Sequence, residues 1–330
     1  MTRTQKLLAT VPAAALAFAA PSMANDWPTD PITMFVVSSP GGGFDAAARQ
    51  PQRFVEEALG VPMRVENRPG GATAVATTLV YETGDDCSNI LMTGIPHILF
   101  SYMTQDVGYE YEDFFPIAGL TSEPGLVRVQ DDAPWQSMNE LIDDALERPG
   151  ELIASVGLYT NNYFMGLLEL MDATGAEFNI VPFGGGAEAR NALLRGEVDF
   201  THAGVFNSRN VEDGTRVLGI HYSENRWPEI TDDATPISEQ LGVDLSDNES
   251  SYGVFVTAAC RENHPERYEA LVSAFRDAKH NEEYLAMLDD LGELGKVAFV
   301  EADDYHAANL AQRDVIAEWV ATRPEFSAAD

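Results

Sequence analysis

The chain has 330 residues, of which 45% are hydrophobic, and its 53 acidic against 20 basic side chains give a formal net charge of −33. That length exceeds one typical core and predicts two domains. So negative a surface excludes nucleic acid and anionic membrane as partners, and its self-repulsion predicts a salt-loving source, where screening is short-ranged.

At the N-terminus, Arg3 and Lys6 precede an apolar run from Leu7 to Ala20, and the small residues Ser22 and Ala24 follow. This is the pattern of an export signal over residues 1–24, cleaved near Ala24 to leave a mature start near Asn25. The run is too short to span a bilayer, and no later segment approaches the roughly 20 apolar residues a membrane helix needs. ITMFVV (Ile32 to Val37) then reads as a buried strand. It enters SSPGGGFDAAARQ, where Asp45 is expected to cap a helix beginning at Ala46 and running on through RFVEEAL. Strand, glycine loop and helix N-terminus make an anion site, because free N–H groups and the positive end of the helix dipole converge where no side chain intervenes. The same glycines also suit a plain tight turn.

MRVENRPGGATAV (Met63 to Val75) predicts a strand, a turn and a second helix, and NILMTG (Asn89 to Gly94) a third strand. This βαβαβ order implies parallel strands covered by helices, with ligands at the carboxyl ends of the strands. Thr93 and Gly94 are therefore candidate contacts. Phe114 to Asp132 reads as two strands leading into a second domain. Ser137 and Glu140 fit a helix start that Pro149 and Gly150 stop. After the strand Glu151 to Gly157 and the next helix, NIVPFGGGAEARNALLRGEVDF repeats the first arrangement, with Gly184 to Gly186 between strand and helix. Two such loops facing one cleft would hold a single anionic solute. Arg216 to Tyr222 predicts another strand, TPISEQLGVDL a short helix, and Ser251 to Cys260 a long strand returning to the first domain. The remainder reads as helical with a break near Lys296 to Val300.

Cys87 and Cys260 fit either one disulfide or two buried thiols, and with six scattered histidines they give no metal-ligand spacing. No G-x-S-x-G elbow or phosphate-loop motif occurs, and no histidine lies near Ser38 or Ser39 to activate a nucleophile. An exported hydrolase is thus the weaker reading, and no cofactor or metal is expected. His97 and His202 read as packed or solvated. Arg190 fits a carboxylate counter-ion or, more commonly, a surface ion pair.

PGGGFDAAAR, VENRPGG, WQSMNELIDDALERPGELIAS, VPFGGGAEARNALLRGEVDF, TPISEQLG and YGVFVTAA occur in one order over most of the chain. In these stretches the chain resembles the periplasmic substrate-binding proteins of tripartite tricarboxylate transporters. The resemblance implies an α/β, two-lobed Venus-flytrap fold of the type II periplasmic binding proteins, each lobe a mostly parallel sheet flanked by helices. Lobe 1 would comprise residues 25–124 and 252–330, and lobe 2 residues 125–251, with the crossing strands as hinge. It further implies a monomeric, non-enzymatic receptor that grips a small carboxylate and delivers it to a membrane permease of one large and one small subunit, driven by an ion gradient. A sensor docking on a receptor kinase is the alternative. On this sequence the gripping loops are Ser39, Pro40, Gly41, Gly42, Gly43, Phe44 and Asp45, and then Phe183, Gly184, Gly185, Gly186 and Ala187. Gly184 stands where the family usually carries lysine, and Phe44 where it carries a small residue, offering a flat apolar ligand a stacking face. Tyr159, Thr160 and Asn161 replace the family's usual glycine-serine step and are expected to shape the far end of the site.

Overall fold

A computed structural model describes residues 27–159 and 161–323; the proposed export signal and Thr160 lie outside the described residues. The apolar stretch after Trp27 forms β1 (Ile32–Val36), and the glycine loop leads into α1 (Gly43–Arg49). Pro51 has no N–H to continue the ladder, so the predicted long helix is two, the second being α2 (Gln52–Leu59). There follow β2 (Met63–Asn67), α3 (Ala74–Thr83), β3 (Asn89–Ile95) and α4 (His97–Met103). β1 lies between β2 and β3, parallel to both, as the βαβαβ order requires.

Phe114 to Gln130 is one strand of 17 residues, β4, and not two. Its register shifts near Pro116, Gly119 and Val127 absorb the breaker residues without ending the strand. The chain continues through α5 (Met138–Glu147), β5 (Ile153–Val156), α6 (Asn162–Thr174), β6 (Asn179–Pro182), α7 (Gly186–Leu194), β7 (Phe200–Gly204), β8 (Thr215–His221) and α8 (Ile237–Leu241). Ser137 caps α5 as expected, accepting from the Glu140 N–H at 3.3 Å. The Glu140 carboxylate accepts from the N–H of Gln136, one residue beyond the Ser137 N–H that a reciprocal capping box would use.

β9 (Glu249–Thr257) brings the chain back, pairing antiparallel with β3 on one side and β4 on the other. It stops at Thr257, whose hydroxyl caps α9 (Ala258–Asn263), so Ala258 to Cys260 are helical where a strand was expected. Then come α10 (Pro265–Lys279), α11 (Glu282–Asp290), β10 (Val297–Glu301) and α12 (Ala302–Ala321). The sheet order is β2-β1-β3-β9-β4-β7-β5-β6, with β8 and β10 also on β4. Pairing is parallel only in the outer strands of each half; the crossing strands β4 and β9 are antiparallel, so the sheet is mixed. Tyr305 of α12 fills the space over the paired glycines Gly119 and Gly253, where a Cβ on Gly253 would lie 2.4 Å from its ring. Cys87 and Cys260 form a disulfide, Cα–Cα 5.2 Å, that ties the turn before β3 to α9.

Candidate functional site

The two glycine loops meet at the carboxyl ends of β1 and β6. Ser39 donates both its N–H and its hydroxyl to the Gly184 carbonyl, each at 3.3 Å. Behind them a Cβ on Gly157 would lie 2.8 Å from the Cα of Gly186, so the close approach of backbones requires glycine there. In the first loop, Gly41 has φ +78° and donates its N–H to Asp45 Oδ2 at 2.9 Å. Asp45 sits inside the first turn of α1, capped by Gly42, and its other oxygen takes the Arg49 Nε–H at 2.8 Å. It therefore braces the loop and is not the helix cap that the sequence suggested.

Under the loops lies a cavity of about 30 Å³. That is room for about two waters, so a longer solute requires the walls to part. One wall is Gly43, Phe44 and His97; opposite are Gly157, Asn161, Gly185 and Gly186, and the floor carries Tyr163, His202 and Tyr252. Phe44 packs against Tyr252 at 4.2 Å and edge-on to His97 at 4.8 Å, which makes this side aromatic. Asn161 caps α6, accepting from the Phe164 N–H at 2.7 Å. Burial without a compensating acid pushes His97 down to about 3 and His202 to about 4, so both are neutral at pH 7. His202 donates from Nδ1 to the Tyr163 carbonyl at 2.8 Å, leaving Nε2 to accept from His221 Nδ1 at 3.2 Å. Burial likewise raises the Tyr163 and Tyr252 phenols.

Arg190 is the one charged side chain among the described residues that line the cavity. It is 3% exposed, and its Nε donates to Asn210 Oδ1 at 2.8 Å. No carboxylate lies within 4.0 Å of its guanidinium among the described residues. One turn beyond Gly186 on α7, it runs back toward the helix N-terminus, its Nη1 2.8 Å from where a Cβ on Gly186 would stand. Burial lowers its pKa, the Glu123 carboxylate beyond 4.0 Å works the other way, and the guanidinium stays protonated. The first-turn N–H groups of α7 have no intrahelical acceptor, so they and the guanidinium form one anion-receptive corner.

Behind the floor, a Cβ on Gly204 would lie 2.3 Å from Glu123 Oε1. Glu123 is fully buried and accepts from the N–H groups of Phe206 and Asn207 at 2.8 and 3.0 Å. Lys296 Nζ stands 3.6 Å from its other oxygen and donates to Asn207 Oδ1 at 2.9 Å. Desolvation outweighs the nearby ammonium and raises the Glu123 carboxyl.

Of the residues expected from sequence, Gly43, Phe44, Asn161, Gly185 and Gly186 line this cavity. Gly41 and Gly42 instead face a second hollow of about 300 Å³, which Arg190 also borders. Ser39, Gly184 and Ala187 form the contact between loops, and Pro40 is exposed. Phe183 packs against Ala192, Leu193 and Val198, away from the cavity. Thr93 and Gly94 are buried within β3 and do not line it; Gly94 faces β9, where a Cβ would lie 2.1 Å from the Ser251 carbonyl. Tyr159 packs on Phe164 at 4.6 Å, outside the lining. Sequence reasoning missed Tyr163, Tyr252 and Asn207 and left Arg190 between a carboxylate counter-ion and a surface ion pair; at 3% exposed it is not at the surface. It treated His97 and His202 as packed or solvated; they are packed, and against the cavity.

A mixed α/β sheet crossed by two strands, with paired glycine loops over a cavity, defines a periplasmic-binding-protein fold. Solved structures share it: BugD superposes with TM-score 0.78 at 20% identity over 89% of this chain and 98% of that one. MatC from Rhodopseudomonas palustris, with bound malate, gives TM-score 0.74 at 21% identity over 88% and 97%. The R. palustris protein Rpa4515, with adipate, gives 0.77 at 24% identity over the same shares, 88% and 97%. Residues 47–319 match the TctC family, described as tripartite tricarboxylate transporter family receptor, and the chain belongs to that family. Among curated relatives, the UPF0065 protein of the tcbD–tcbE intergenic region of a Pseudomonas species is 30% identical over 66% of this chain and 65% of its own length. BugT of Bordetella pertussis is 29% identical over 54% and 56%. The chain thus spans just under two thirds of the first of these relatives, and less of the second.

Proposed function

We propose that this chain is an exported, periplasmic solute receptor, not an enzyme, that binds a small carboxylate between two lobes, residues 25–124 with 252–330 and residues 125–251. Its partner on this reading is a membrane permease of one large and one small subunit driven by an ion gradient, and the receptor acts as a monomer. The observation that carries the reading is Arg190. A buried guanidinium without an ion-pair partner costs several kcal/mol of desolvation, which a bound carboxylate would offset. Its position beside the N–H groups at the start of α7 suits a bidentate acceptor. Malate and adipate in MatC and Rpa4515 agree with that ligand class. The acidic composition favours a receptor working at high salt. Thermal-shift and calorimetric titration at high salt should find small acids that raise the melting temperature, while their uncharged amides do not. Amides that bind as tightly as the acids would overturn the reading.

A further inference from the structure

We infer that the preferred ligand carries a single carboxylate on a short apolar body, its far end uncharged. This rests on the reading of the Arg190 corner as a carboxylate site, and it narrows the ligand by what surrounds that corner. Among the described residues Arg190 is the sole cation in the lining, beside Gly186. Much of the remaining lining is aromatic, with Phe44 in contact with both Tyr252 and His97. No second cation lines the cavity among the described residues, and Lys296 behind the floor is engaged by Glu123 and Glu293, each at 3.6 Å, and by Asn207 at 2.9 Å. Glu123 stands directly behind Gly204, its near oxygen Oε1 already accepting from the N–H groups of Phe206 and Asn207, so a second carboxylate there would meet a buried acid and no free donor from it. A buried carboxylate lacking a partner is strongly disfavoured, whereas an apolar or hydroxyl-bearing end is not. The hydrogen-bonding groups at the aromatic side are neutral and suit such an end. His97 Nδ1 is fully enclosed with no partner among the described residues, and the Tyr252 hydroxyl, near those of Tyr163 and Ser250, takes a bond of 3.4 Å from the Asn207 amide.

The test is a matched-pair titration of the full chain at pH 7.5 and high salt: butyrate against succinate, benzoate against terephthalate, and monomethyl terephthalate beside both aromatic acids. We expect each monocarboxylate to bind at least tenfold tighter than its dicarboxylate, a difference of about 1.4 kcal/mol. The monoester should regain most of the affinity that terephthalate lacks. Dicarboxylates that bind as tightly as their partners would overturn the single-charge inference while leaving the carboxylate reading intact. A monoester as weak as terephthalate would also overturn it, since bulk and not charge would then exclude the diacid. Absence of binding by every acid would instead overturn the carboxylate reading beneath it.

Discussion

Replacing Arg190 with methionine separates a ligand counter-ion from a structural cation, because the two roles predict opposite effects on the ligand-free protein. Methionine keeps the apolar stem of the side chain and removes the charge. The lost bond from Nε leaves Asn210, which is exposed and can turn to water. Relief of a buried, unpaired charge should leave ligand-free stability unchanged or raise it by about 1–4 kcal/mol. For a chain of this size each kcal/mol moves the melting temperature by about 2 °C. Affinity for the acid should fall, since a hydrogen bond to a charged group contributes about 1.5–3 kcal/mol, or roughly 10- to 150-fold in Kd. At a ligand concentration of about 100 Kd the parent protein gains about 2.7 kcal/mol. A variant binding about 100-fold more weakly would gain only about 0.4 kcal/mol under the same conditions. Differential scanning calorimetry with and without ligand reads both quantities. The reasoning fails if the ligand-induced shift survives, or if the ligand-free variant loses more than about 3 kcal/mol, the mark of a broken buried pair.

Gly43→Ala should weaken binding at least tenfold without unfolding the protein, because its Cβ would lie 2.4 Å from Asn207 Nδ2 and 2.8 Å from the Tyr252 hydroxyl and hold the walls apart; titration calorimetry and small-angle scattering check affinity and closure. Reducing the Cys87–Cys260 bridge, which spans 173 residues, should lower stability by up to about 5 kcal/mol on chain-entropy grounds, read from urea midpoints with and without reductant, and equal midpoints would defeat the argument. His97, held at about 3 against an unfolded value near 6.5, binds its proton more readily when unfolded. Its contribution to stability is complete above pH 6.5 and declines as pH falls toward 3, by about 1.4 kcal/mol per pH unit, so His97→Gln should flatten the acid limb of a stability-against-pH curve by that slope.

What was legible in the sequence was legible locally. Glycines at a strand-to-helix junction state a backbone requirement that three or four neighbours decide, and Ser137 with Glu140 states a cap in four residues. What was not legible depends on distant elements converging. Pro116, Gly119 and Pro124 each argue against a long strand, yet β4 is continuous because β9, β7, β8 and β10 pair along its length. Tyr252 meets Phe44 only after β9 crosses back, more than 200 residues on, and no local pattern announces that contact. Arg190 is the instructive case, for an arginine on a helix in an acidic chain reads as half of a surface pair. One compositional signal does point inward. Lysine occurs at Lys6, Lys279 and Lys296 alone, and the two among the described residues are 3% and 2% exposed. Where 53 carboxylates crowd a chain, a cation that makes no ion pair with any of them is held away by the fold, at a cost the native structure must offset. Lys279 has the Leu120 carbonyl for that purpose, whereas Lys296 does pair, with Glu123 and Glu293. Arg190 has an exposed amide, a cavity and the Glu123 carboxylate beyond 4.0 Å, so on the proposed reading the close counter-charge belongs to the ligand.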